Sequence, residues 1–223
     1  MLSIVIPALD AARTLPATLA ALGGLAQDRE IVVVDGGSRD ATRALAEAAG
    51  ARVVATAPGR GGQLAAGARA ARGEWLLFLH ADTVLGDGWA EAVARFMAEP
   101  VNAERAAVFR FALDDPAPAA RRMERLVAWR GRVLGLPYGD QGLLIGRTFY
   151  ERLGGFRAMP LMEDVELVRR IGRRQLVTLD APATTSAARY RRAGYLLRPA
   201  RNLFCLSLYF AGVPPRLILR VYR

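Results

Sequence analysis

Four short apolar runs, none with polar alternation, open the chain: Ser3 to Pro7, Glu30 to Asp35, Ala51 to Thr56 and Glu74 to Leu79. Runs of this length, bounded by glycine or polar residues, predict strands covered on both faces, as in a parallel α/β sheet. Alanine- and leucine-rich stretches with helical spacing separate them: one to about Leu22, one from Thr42 through Ala49, and one of small residues up to Arg72. Crossovers of ten or more residues call for parallel strands wound in the right-handed sense. Ser38 or Asp40 is placed to cap the second helix. A helix from Gly86 to about Met97 and an alternating strand, Ala106 to Leu113, come next, and there the regular winding ends. Ala117 to Leu134 reads as an arginine-rich helix, Gly135 to Gly142 as a glycine-rich turn into Leu143–Gly146, and Glu163-Asp164 as a helix start followed by apolar Val165, Val168 and Ile171.

Two of the buried runs stop at acids. Asp35 ends the second, and the fourth gives way to His80, the only histidine, and Asp82. The carboxyl edge of an open α/β sheet is where ligands bind, so both aspartates are candidate ligand contacts. Each alone reads better as a helix cap in a βα turn. Together, with the glycine-rich loop Pro58–Gln63 between them, they favour a bound ligand. The first βα turn has no G-x-G-x-x-G, which leaves a nucleotide recognised partly by carboxylates. Acids at the start of a helix also complement its dipole, so Glu163 and Asp164 stay open between that role and chemistry.

Composition narrows the chemistry. All 31 basic residues are arginines, so P-loop and lysine Schiff-base mechanisms are excluded on residue type. With 223 residues, 52% of them hydrophobic, the chain is long enough for one well-buried domain. The single cysteine, Cys205, rules out an intrachain disulfide framework. No basic or small-residue leader pattern precedes the first strand, so cytoplasmic residence is expected. The net charge of +10 is concentrated late: eight arginines and no acid follow Asp180, leaving +2 on the first 180 residues.

Pro7, the Asp35-Gly-Gly-Ser-Arg-Asp40-Ala-Thr42 segment, Arg60-Gly-Gly-Gln63, Leu79-His80-Ala81-Asp82, Gly139-Asp140-Gln141 and Glu163-Asp164 together resemble family 2 glycosyltransferases of the GT-A fold. The Phe-Leu-His-Ala-Asp-Thr version is similar to a small bacterial subgroup. The resemblance implies an α/β nucleotide-diphosphosugar transferase fold with a mostly parallel central sheet flanked by helices. It implies one GT-A domain over residues 1–190, with a nucleotide-sugar half (1–113), an acceptor half (114–190) and a basic amphipathic extension (191–223). By the same resemblance, Asp35 faces the uracil base beside Pro7, Ala8 and Leu9, while Arg60, Gln63, Ala81 and Asp82 line the donor. Asp82 matches the last aspartate of a D-x-D motif and implies a divalent cation, Mn²⁺ or Mg²⁺; His80 replaces the first aspartate and is the alternative ligand. Asp164 matches the general base, with Glu163 beside it, and Asp140 and Gln141 match the acceptor side. Ser186-Ala-Ala-Arg189-Tyr190 stands where processive members carry Q-x-x-R-W, which implies a non-processive enzyme with Arg189 at the diphosphate.

The expected activity is inverting transfer from a nucleotide sugar, a UDP-sugar by resemblance, to the hydroxyl of a lipid or small-molecule acceptor. The rivals are a sugar nucleotidyltransferase and a non-catalytic, membrane-associated nucleotide-sugar binding protein. Residues 195–223 mix arginines with an apolar run too short to span a bilayer. Two readings of this tail remain: an amphipathic segment on the inner face of an anionic membrane, or a helix packed on the domain or on a second copy. Arginines interleaved with aliphatic bulk, without a nucleic-acid motif, argue against nucleic-acid binding.

Overall fold

The computed structural model describes residues 1–24, 29–188, 191, 194–195 and 197–222. Its first half follows the predicted alternation: β1 (Leu2–Ala8), α1 (Leu15–Ala21), β2 (Arg29–Asp35), α2 (Thr42–Ala48), β3 (Arg52–Ala55), α3 (Arg60–Ala70) and β4 (Trp75–Phe78). These four strands are parallel neighbours in the order β3-β2-β1-β4. The second half comprises β5 (Thr83–Leu85), α4 (Trp89–Ala98), β6 (Ala106–Leu113), α5 (Pro118–Leu134), β7 (Leu143–Gly146), α6 (Arg147–Arg152), α7 (Glu163–Ile171), β8 (Leu176–Thr185), α8 (Leu197–Phe210) and α9 (Pro215–Tyr222). Its strands extend the same sheet as β4-β7-β6-β8-β5.

Period-two alternation explains the layers. Ile4, Ile6, Leu77 and Leu79 pack on one face with Leu15, Trp89 and Phe96 from α1 and α4. Val5, Leu76 and Phe78 pack on the other with Leu64, Phe149 and Leu167 from α3, α6 and α7. Strands wholly covered in this way have no polar face to show, which is why their sequences read as unbroken apolar runs.

The sheet changes direction at β4, which is parallel to β1 but antiparallel to β7. Phe78 at the end of β4 lies opposite Leu143 at the start of β7. The segment before β7 therefore arrives at the same edge that β1, β2 and β4 reach with their carboxyl ends. Strands β5 and β8 have no counterpart in the sequence reading. β5 is three residues long, and β8 carries Pro182 beside a register shift opposite Phe109/Arg110, where an irregular ladder tolerates a residue without an N–H.

Candidate active site

The edge is built first by loops that brace one another. Asp40, one residue before the N-cap Ala41 of α2, accepts the Thr42 N–H on Oδ1 at 2.9 Å, while its Oδ2 accepts from Ala12 N across the neighbouring loop. Ser38 Oγ accepts from Asp10 N, and Asp10 Oδ1 accepts from Arg39 N. This clamp holds Pro7, Ala8 and the half-exposed Leu9 beside β2, and Asp10 sits at a positive φ of 49° to make the turn. Asp35 is buried, its carboxylate accepting from the N–H groups of Gly37 and Ser38 at 3.1 to 3.3 Å. Its first role is thus to anchor the βα turn.

Two glutamines are tied to the backbone at this edge. Gln63 is buried, and its Nε2 donates to Ala8 O at 2.9 Å and Val34 O at 2.7 Å, tying together the ends of β1 and β2. Gln141 is also buried and donates to Phe109 O at 3.0 Å. An amide whose hydrogens satisfy buried backbone carbonyls braces the scaffold, and the Gln141 Oε1 is left buried without a partner. Arg189, the expected diphosphate contact, lies outside the described residues.

Against this braced edge stand the charged groups. Ala81 O accepts from Thr18 Oγ1 and Asp82 O from Thr185 Oγ1, which fix the turn between β4 and β5 and leave the Asp82 side chain half-buried. Arg60, the first residue of α3, reaches Glu163 Oε1 at 3.5 Å. Glu163 and Asp164 open α7, preceded by Met162 at φ +66°. A methionine in this left-handed region costs on the order of 1 kcal/mol; buried Val165, Val168 and Ile171 hold α7 in place against that cost. Asp164 Oδ2 accepts the Gly139 N–H at 2.8 Å. A methyl group at Gly139 would lie 2.7 Å from His80 Nε2 and 3.4 Å from Asp164 Oδ2, so the imidazole and this carboxylate share one small space.

Asp140 is the surprise. Burial pushes its carboxyl up to about 6, Arg130 opposing and the negative charges of Asp164 and Asp82 adding to the rise. Its Oδ1 is buried without a hydrogen-bond partner. Burial, then Asp164, likewise push Glu163 up to about 7 against the pull of Arg60. Burial acts to lower the Arg60 pKa, yet Glu163, Asp164, Tyr222 and Asp82 raise it overall. Asp82, Asp140, Asp164, Glu163 and Arg60 thus form one electrostatic unit, drawn from loops, α3 and α7.

Two members of this region, Arg130 and Tyr222, have no local sequence signal. Arg130 projects from α5 with its guanidinium 3.4 Å from the Tyr138 ring centre and donates to Leu136 O at 2.9 Å. Tyr222 arrives from α9. Arginines on a helix and a tyrosine near a chain end read as surface until the chain folds back.

Among the described residues, no three histidine, cysteine, aspartate or glutamate side chains form a ready-made metal cage. The carboxylates nonetheless suit a hard divalent cation: an unpartnered buried oxygen on Asp140 and the half-buried Asp82 supply the oxygen donors such ions take.

A parallel half joined through one shared strand to a mixed half, with carboxylates gathered along the common edge, defines the GT-A class of nucleotide-sugar transferase folds. The family model for glycosyl transferase family 2 matches residues 3–155, and the chain belongs to that family. No curated protein sequence matches the chain significantly. Among solved structures, glucosyl-3-phosphoglycerate synthase from Mycobacterium tuberculosis, crystallised with Mn²⁺, UDP and glucosyl-3-phosphoglycerate, aligns with a TM-score of 0.64 at 20% identity, covering 96% of this chain and 81% of that one. TarS of S. aureus aligns at 0.64 and 14% identity over 93% of this chain, which spans only 39% of TarS. The mannosyltransferase PcManGT from Pyrobaculum calidifontis, in complex with GDP-Man and Mn²⁺, aligns at 0.63 and 19% identity over 90% of this chain and 59% of its own.

Proposed function

We propose that this chain is an inverting, non-processive glycosyltransferase that moves a sugar from a nucleoside diphosphate donor, a UDP-sugar, to an acceptor hydroxyl. The observation that carries the reading is the convergence of Asp82, Asp140, Asp164 and Arg60, from four separate segments, on one sheet edge. In this reading residues 1–113 bind the nucleotide sugar and residues 114–190 the acceptor. The complexes of the synthase with Mn²⁺ and UDP and of the mannosyltransferase with GDP-Man and Mn²⁺ support the donor class and the cation.

Asp164 is the general base. Its carboxylate takes the proton from the acceptor hydroxyl as that oxygen bonds to the anomeric carbon, and the bond from that carbon to the diphosphate oxygen breaks with its electron pair leaving on the nucleoside diphosphate. The Gly139 N–H holds Oδ2 and aims the group. Arg60, held by Glu163 at 3.5 Å with its side chain 47% exposed, is the cation that would face the negative charge gathering on the departing diphosphate. Asp82, with Asp140, would hold the divalent cation, which neutralises charge on the leaving diphosphate when bound. His80, beside Asp164 and Gly139, belongs to the base side of the cleft and is the lesser metal ligand.

A panel of UDP- and GDP-sugars with Mn²⁺ or Mg²⁺, read as nucleotide release and nucleotide binding, tests this. Asp82→Asn is expected to lose cation-dependent nucleotide binding. Asp164→Asn should keep binding and lose turnover by about 10²- to 10⁴-fold, the usual contribution of a general base. Activity that survives both substitutions would refute the mechanism.

A further inference from the structure

The last two helices fold back on the domain instead of trailing from it. Leu206 of α8 packs with Leu136 and Val165, and Tyr209 joins Tyr138 and Met162 around them. Arg169 of α7 lies 5.0 Å from the ring centre of Phe210, and Arg201 lies 5.7 Å from that of Tyr222. Cys205 of α8 and Ile218 of α9 are fully buried. One side of each helix is thereby accounted for.

The opposite side of α8 is apolar and bare, and on α9 a bare apolar stripe lies beside buried Ile218. On α8, Leu203 and Phe204 are 62% and 54% exposed, and no charged residue occurs between Arg201 and the end of the helix. A helix that is apolar on its outer as well as its inner side is not finished by water. On α9, exposed Leu217 and Val221 form an i, i+4 pair bordered by Arg216 and Arg220. The pattern recurs on α5, where Ala120, Met123 and Val127 face the core. Beside them a second stripe, Leu126, Trp129 and Val133 at i, i+3 and i+7, is exposed and flanked by Arg122, Arg125 and Arg132. The two regions meet, since Leu136, just past the end of α5, is the residue on which Leu206 of α8 packs.

Charge decides what covers this face. Arg122, Arg125 and Arg132 border the exposed stripe of α5, and Arg216 and Arg220 border that of α9, while residues 197–222 hold no acid. A symmetric contact with a second copy would set these arginines against one another, and like charges repel. An anionic surface attracts every one of them, and a bilayer also takes up the leucines, phenylalanines and tryptophan between them. Among the described residues no helix is long and apolar enough to cross a membrane, so the contact is peripheral. We infer that the outer faces of α5, α8 and α9 form one docking surface for an anionic lipid bilayer. The inference stands on this surface alone and does not require the transferase chemistry.

The full chain, sedimented with phosphatidylcholine vesicles with and without phosphatidylglycerol, tests it. Wild type is expected to pellet only with the anionic vesicles and to be released progressively by salt. Trp129 is the most exposed of the three tryptophans, so its emission should shift to the blue on binding, and Trp129→Phe should abolish the shift while still pelleting. Leu203→Glu/Phe204→Glu should weaken partition at least about tenfold with unchanged circular dichroism, because two charges replace apolar side chains that would enter the interface. Should that pair disturb folding, Trp129→Glu on α5 must give the same loss. Equal pelleting of wild type and the folded glutamate variants, failure of wild type to pellet, or equal binding to neutral vesicles would overturn the inference. So would a vesicle-free dimer, seen by sedimentation velocity, that these substitutions dissolve.

Discussion

Folding makes Glu163 hold its proton to higher pH. An acid whose pKa rises on folding, here from 4.5 to about 7, binds that proton more tightly in the native chain. Native stability therefore falls as pH climbs between those values, and it is greatest below them. Glu163→Gln should flatten this slope and melt above wild type at pH 8, whereas at pH 5 the two should nearly coincide. Asp140, also raised, leaves a residual slope in the variant. Thermal melts across that range check this, and an unaltered slope would show that Glu163 is not the group responsible. At this scale the sequence was informative about which acids gather and less so about amides. Asp82 could be picked out because it ends a buried strand at the ligand-binding edge, whereas Asp164 and Asp140 were singled out by the family resemblance, since an acid at a helix start also serves the helix dipole. Gln63 and Gln141 sit in the same motifs, yet their amides satisfy Ala8, Val34 and Phe109 carbonyls, and nothing local distinguishes a scaffold amide from a ligand amide.

Helix α3 carries Arg60 at its start, and its distance from the sheet depends on Gly67. A Cβ there would stand 2.3 Å from Val5 Cγ1 and 2.8 Å from Val34 Cγ2, closer than packed atoms approach. Gly67→Ala must push the helix off β1 and β2, and overpacking of this kind costs about 1–3 kcal/mol. Denaturant unfolding should show that loss, and the displaced Arg60 should weaken nucleotide binding in parallel. A variant with wild-type stability would mean the strands yield instead. The parallel half of the fold was readable because β1, β2 and β4 are apolar runs closed off by glycine or polar residues and each crossover between strands is ten or more residues long. β5 and β8 were not, since a three-residue strand has no period to detect and Pro182 interrupts the second.

For the molecule as a whole, the tail's basicity was plain from the sequence and its position was not. Composition cannot reveal that Leu206 closes a cluster with Leu136 and Val165 one residue from the proposed base. Leu206→Ala should cost about 2 kcal/mol or more through the lost contacts and the space left behind. If α8 braces the base, turnover should fall along with the denaturation midpoint; a stability loss without any change in turnover would confine the helix to a structural part. The strand order has a further consequence, for synthesis. The sheet's parallel block, β3-β2-β1-β4, is complete once residue 78 has emerged, and it can collapse as a local βαβ unit. β5 is made next but has only β8 to pair with, and β8 ends at Thr185. Until then the turn carrying Asp82 has no outer strand to hold it. On the ribosome the chain thus passes through a stage with the nucleotide half formed and the cation-side loop still waiting for its partner strand.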